Sequence, residues 1–189
     1  MKKIILNKKE KILELIIISL LVFMGASLRL LPHSPNFTPI LAIALFGGFY
    51  FSKRTAFILP LLAMVIPDIV IGYYEAILMA FVYGSFLLCV VLGIWLKKHK
   101  NWYTVLGSSI LGATLFFLIT NFAVWAFTPW YAKTFSGIIQ CYFMALPFFK
   151  NALLGDLLYV SLFFGSYEII SLLAKEKFFL IRKKPVFPN

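Results

Sequence analysis

Apolar runs, most of them about twenty residues long, recur along this chain between residues 12 and 174, and short basic clusters separate them. A helix rises ~1.5 Å per residue, so a run of that length matches the ~30 Å hydrocarbon core of a bilayer. Hydrophobic residues make up 62% of the sequence, against about 45–50% in soluble domains. The pattern predicts an all-α membrane protein, a bundle of six transmembrane helices.

The six predicted spans are residues 12–31, 38–52, 55–73, 76–96, 103–127 and 151–174. The second is short, reaching only ~22 Å. Between the last two, residues 136–149 are expected to form a surface or half-inserted helix ending near Pro147. Charge gives an independent check on the count. With both termini in the cytoplasm, fifteen of the eighteen Lys and Arg fall on the inner side, and only Arg29, Lys133 and Lys150 fall outside. That bias follows the rule that cytoplasmic loops carry the positive charge. The expected layout is a basic segment 1–11, a six-helix domain 12–174 and a basic tail 175–189, in a bacterial cytoplasmic membrane. The first run is longer than the usual ~7–15-residue core of a signal peptide, so it reads as a retained helix.

A net charge of +11 raises nucleic acid as a partner. The basic residues lie in inter-span clusters rather than on one face, so no nucleic-acid partner is expected. Two cysteines, Cys89 and Cys141, make neither a disulfide framework nor a zinc site. There is no Gly-rich phosphate loop and no His-Glu-x-x-His, and no metal or cofactor is expected.

The stretch Arg29-Leu-Leu-Pro-His-Ser-Pro-Asn-Phe-Thr-Pro-Ile40 interrupts this regularity. Three prolines in twelve residues rule out plain helix. Irregular backbone at membrane depth needs protein or a wet cavity around it. The expectation is a loop, residues 31–39, that lids a site. Counting from the inner ends at ~1.5 Å per residue puts Arg29 ~27 Å, Asp68 ~20 Å and Asn121 ~27 Å along their helices. Asp156 lies ~8–9 Å from the outer start of the last span. All four fall in the outer half, as do His33 and Asn36 of the loop. A charge at the bilayer centre costs about 2.5–3.5 kcal/mol, so such groups need partners or a wet cavity. An Arg29–Asp68 or Arg29–Asp156 ion pair that merely locks the bundle is one reading. The other is an outward-facing cavity for a small-molecule ligand, shaped by Arg29, Asp68, Asn121 and Asp156 and closed by His33, Asn36 and Trp125. Trp125 shares a helix face with Asn121; most other rings from Phe122 to Phe149 read as an interfacial belt. Small residues at Ser108 and Gly112, Gly47-Gly48 and Gly25-Ala26-Ser27 mark close helix contacts.

Several motifs carry a family resemblance. The stretch from Arg29, Ala-Leu-Phe-Gly-Gly from Ala44, Pro-Leu-Leu-Ala-Met-Val-Ile-Pro-Asp from Pro60, and Phe-Phe-Leu-Ile-Thr-Asn-Phe-Ala-Val-Trp from Phe116 are four of them. Cys-Tyr-Phe-Met-Ala-Leu-Pro-Phe-Phe-Lys-Asn from Cys141 and Gly-Asp-Leu from Gly155 complete the set. Together they resemble a bacterial family of small membrane proteins of unknown function. That family is similar to the substrate-binding S components of energy-coupling-factor (ECF) vitamin transporters. The resemblance implies six helices, cytoplasmic termini, a vitamin site near the outer face, and transmembrane and ATPase subunits as partners. S components dock through Ala-x-x-x-Ala on the first helix, a pattern this chain lacks, which leaves a solitary transporter as an option. Some solitary relatives handle cobalamin through a cysteine, which makes Cys141 a minor candidate. Two other classes stay open: a membrane enzyme acting on a lipid or cofactor through Asp156, His33 or Cys141, and a ligand-free structural subunit.

Overall fold

The computed structural model describes residues 8–182, with side chains described from residue 11 to residue 173. Most of the basic segment 1–11 and of the tail 175–189 therefore lies outside the described side chains. Six helices follow one another: α1 Lys8–Leu30, α2 Ile40–Tyr50, α3 Lys53–Ile71, α4 Ala76–His99, α5 Trp102–Phe127 and α6 Phe135–Arg182. All but α2 are long and apolar enough to cross a membrane. Large apolar side chains stand exposed along them, Phe23, Leu62, Val91, Leu118 and Leu162 among them. Such a surface would aggregate in water but suits lipid. The protein is an all-helical, multi-pass membrane protein.

The shortest helix sits at the centre. α2 is apolar all round, and Ile40–Gly48 are all buried. A helix without a polar face belongs inside a bundle. At eleven residues it reaches ~16 Å, too little to cross the hydrocarbon core alone. The 31–39 loop enters it from within the bundle, and Pro39 and Ile40 are fully buried. α2 crosses α4 with backbones in contact. A Cβ on Gly48 would lie 2.9 Å from the Gly93 Cα, and one on Gly93 would lie 3.0 Å from the Gly48 Cα. Gly112 similarly brings α5 against Leu41 of α2 and Cys89 of α4. Gly25 of α1 does the same against Ile43 and Ala63. The small-residue spacings in the sequence are thus helix contacts inside the bundle.

The two ends of the bundle differ in charge. At one end the Lys97 Nζ donates to the Phe51 carbonyl over 2.8 Å, and Lys100 pairs with Glu168. Lys53 and Arg54 start α3 there. α5 opens at the same end with a capping box between Asn101 and Thr104, each side chain bonding the other residue's backbone N–H. The opposite end carries Arg29, Asp68 and the 31–39 loop.

One expectation is corrected. The segment 136–149 is not a separate helix ended near Pro147; it is the first part of α6, which runs unbroken through that proline. Proline deletes one helical hydrogen bond, and neighbouring packing makes it tolerable in membrane helices. Here the Tyr142 hydroxyl donates to the Leu118 carbonyl over 2.7 Å, and Phe149 packs on Phe117 at 4.7 Å between centroids. These contacts hold both sides of Pro147 against α5. At 48 residues α6 measures ~72 Å along its path, more than twice the hydrocarbon thickness.

Candidate functional site

The site is built around an ion pair that joins three helices. Arg29, in the last turn of α1, reaches Asp68 near the end of α3, with Nη2 to Oδ1 at 2.7 Å. Its Nη1 donates to the Met64 carbonyl over 3.2 Å. Tyr83, in the second turn of α4, donates its hydroxyl to Asp68 Oδ2 over 2.5 Å. Asp68 is 1% exposed and Arg29 18%, so each charge is met by its counter-ion and by further hydrogen bonds, as a buried pair requires. The pair also fixes levels. The C-terminal ends of α1 and α3 share one layer, so the chain from 31 to 52 must return across the bundle.

The loop that makes the return is shaped by its sequence. The Phe37 N–H donates to the Ser34 carbonyl over 3.0 Å. Pro35 and Asn36 occupy the corners, and Asn36 has φ of +62°. Proline followed by a left-handed residue is the pattern of a type II turn, and asparagine tolerates that conformation best after glycine. Phe37 then anchors the loop on α6. It meets Tyr159 edge-on at 5.7 Å. It also lies so close to Gly155 that a Cβ there would come within 3.3 Å of its backbone. The glycine of Gly-Asp-Leu therefore seats the loop beside Asp156. His33 Nδ1 donates to the Leu31 carbonyl over 2.7 Å, which leaves Nε2 as the free ring nitrogen.

Beneath the loop is a cavity of about 350 Å³. Arg29, His33, Asn36 and Asp156 line it together with Thr38. Leu41 contributes from α2, Met64 and Ile71 from α3, and Tyr74 from the α3–α4 connection. That connection turns at Gly72, whose φ of +105° requires glycine. Val82 and Phe86 of α4 and Phe116 of α5 complete the apolar wall. Phe86 and Phe116 stack at 5.0 Å with planes 31° apart. Asp156 is 5% exposed, and no side chain or backbone group among the described residues donates a hydrogen bond or a salt bridge to it.

The seven expected site residues thus divide. Arg29, His33, Asn36 and Asp156 come together around one cavity. Asp68 stands behind Arg29 as its counter-ion and does not line the space. Asn121 lies in an adjoining pocket of about 90 Å³ that shares Asn36, Phe116 and Ala152 with the cavity. Its Nδ2 donates to the Phe117 carbonyl one turn back, over 2.8 Å. Trp125 lines neither space. Its indole N–H donates to the Ala132 carbonyl over 3.0 Å, and Lys133 lies over its ring. One turn beyond Asn121, it ties down the α5–α6 connection instead of closing the cavity. Cys141 is buried with its Sγ 3.4 Å from the Asn121 carbonyl, in the α5–α6 contact.

Tyr83, Tyr74 and the Phe86–Phe116 wall were not picked out from the sequence. Tyr83 did leave a signal, because a tyrosine in mid-helix among apolar residues needs a hydrogen-bond partner when buried. The two phenylalanines left none that separates them from the twenty-one in the chain.

No curated protein and no solved structure matches this chain. A family model does match, over residues 9–180, and the chain belongs to that family, a family of unknown function (DUF6580).

Proposed function

We propose that this chain is a substrate-binding membrane transport protein of the ECF S-component type, which takes up a small vitamin or related nutrient through the cavity under the 31–39 loop. The observation that carries the reading is the cavity itself. Polar groups from α1, α6 and the loop converge on a partly open, largely apolar space whose volume falls within the ~300–1,000 Å³ typical of small-molecule sites. A protein that only braces a membrane assembly has no need of such a cavity beside a carboxyl group that no described residue pairs with. In this reading the chain crosses the bilayer six times, with both termini in the cytoplasm of a bacterium. The return of the chain between α1 and α3 supports the count, and the basic end opposite the cavity supports the orientation. The 31–39 loop is the gate. A transmembrane subunit and an ATPase supply the energy, or the chain acts alone.

Native mass spectrometry of the full chain, extracted in mild detergent, tests this. A small molecule should accompany the protein. Its occupancy should fall about tenfold or more in Asp156→Ala, the expected loss when a hydrogen bond to a charged group is removed. Wild-type protein that carries and binds no small molecule, or a ligand retained equally by Asp156→Ala, contradicts the proposal. Turnover of that molecule by the isolated protein would instead favour a membrane enzyme.

A further inference from the structure

We infer that the ligand of this cavity carries a positive charge, and that Asp156 is its counter-ion. The inference rests on the transport reading above and narrows its substrate class to compact cations with an aromatic or apolar body: amines, quaternary ammonium compounds or protonated ring nitrogens.

Charge accounting within the cavity carries it. Arg29 is the one strong cation at the cavity wall, and it is already spent. Asp68 holds it at 2.7 Å, and the Met64 carbonyl takes a second of its donors. Tyr83 completes Asp68 from behind. That cluster is neutral and satisfied. His33 stands exposed at the mouth, with one ring nitrogen bonded to the loop backbone. The remaining ionisable group is Asp156. It is buried, it lines the cavity, and no described residue pairs with it. A buried carboxylate without a partner is costly, and a cation seated against it removes that cost. An anionic ligand would gain no counter-ion from a carboxyl group and would have to break the Arg29–Asp68 pair to reach one. A neutral ligand would leave the carboxylate as it is.

The apolar wall fits the same ligand class. Phe86 and Phe116 bring two rings to the cavity wall, and Tyr74 adds a third. A cation over the face of a ring gains further attraction from its quadrupole, and more so out of water. The sequence around Asp156 agrees in a local way. Gly155 lets Phe37 of the loop pack on α6 at the position next to Asp156.

The test is a matched set of probes on the full-length protein in detergent, read as thermal stabilisation. The probes are 2-phenylethylammonium, benzyltrimethylammonium, 2-phenylethanol and phenylacetate, each at millimolar concentration. The two cations should stabilise the wild type, while the alcohol and the carboxylate should not. Asp156→Asn, nearly identical in shape, should weaken cation binding by about ten- to a hundredfold. Its melting point without probe shows whether it folds, and the wild-type probe comparison stands without it. Stabilisation by the alcohol or the carboxylate equal to that by the cations overturns the assignment. So does a folded Asp156→Asn that binds the cations as wild type does, or the absence of stabilisation by either cation. A co-purified ligand that lacks a positive group would also overturn it while leaving the transport reading intact. A chain that takes up no small molecule at all removes both.

Discussion

Replacing Arg29 with alanine while Asp68 stays in place is expected to destabilise the bundle by about 3–5 kcal/mol, the cost of breaking a buried ion pair from one side. The mechanism is specific. Asp68 is 1% exposed and would be left with the Tyr83 hydroxyl as its side-chain partner among the described residues. The links among α1, α3 and α4 at this level would be lost together. Removing all three polar groups, as Arg29→Met, Asp68→Leu and Tyr83→Phe combined, should recover most of the loss, because an apolar replacement of similar volume leaves no charge stranded. Thermal melts followed by the fluorescence of the four tryptophans report both variants. If Arg29→Ala melts with the wild type, the pair does not hold these helices together.

The second large effect is expected at the α2–α4 crossing. Leucine at Gly48 or Gly93 must push two backbones apart, since even a Cβ at either position comes within about 3 Å of the opposing Cα. Overpacking usually costs ~1–3 kcal/mol where side chains can move aside, and backbone cannot, so a loss above ~3 kcal/mol is expected. Because α2 is the centre of the bundle, the fold as a whole should fail rather than one helix. Gly84 and Gly107 make the matched comparison. No atom lies within 4 Å of a Cβ built on either, so alanine there should be neutral or add up to ~1 kcal/mol of helix propensity. Yields of folded, monodisperse protein separate the two pairs. Equal behaviour of Gly93→Leu and Gly107→Ala would mean that the crossing is not as tight as described.

The helices were legible in the sequence wherever one signal dominated. Five long runs carry enough apolar length to be placed from hydropathy, and the ends of the first four fall within a few residues of the expected positions, whereas α6 starts sixteen residues before the expected 151. α2 was legible as short but not as central. Its burial depends on the 31–39 loop entering it from within the bundle, and that is a tertiary fact. The fate of Pro147 was misjudged because a proline is tolerated in a helix where neighbouring packing supports the gap it leaves; Leu118 and Phe117 of α5 provide that support through Tyr142 and Phe149, and neither contact has a local signature. In the site, depth counting brought Arg29, Asp68 and Asp156 to one level, since charges inside spans are few and each must be accommodated. It could not tell which of the three stands without a partner, because that depends on how each helix is rotated. Rotation also separates Asn121 from the main cavity. Trp125 was misplaced for a different reason: its indole N–H bonds to a loop carbonyl seven residues on, and helix periodicity says nothing about that loop.

Ionisable and amide groups from separate helices surround a ligand-sized space below the 31–39 loop, and Asp156 lines it. An experimental density map of the full chain in lipid nanodiscs, prepared with the compound that co-purifies with it, tests this most directly. Density for a compact molecule is expected beside Phe86 and Phe116, with one of its polar atoms within hydrogen-bonding distance of the Asp156 carboxylate. A space collapsed onto its own side chains, or an Asp156 turned away and paired elsewhere in the protein, would contradict it.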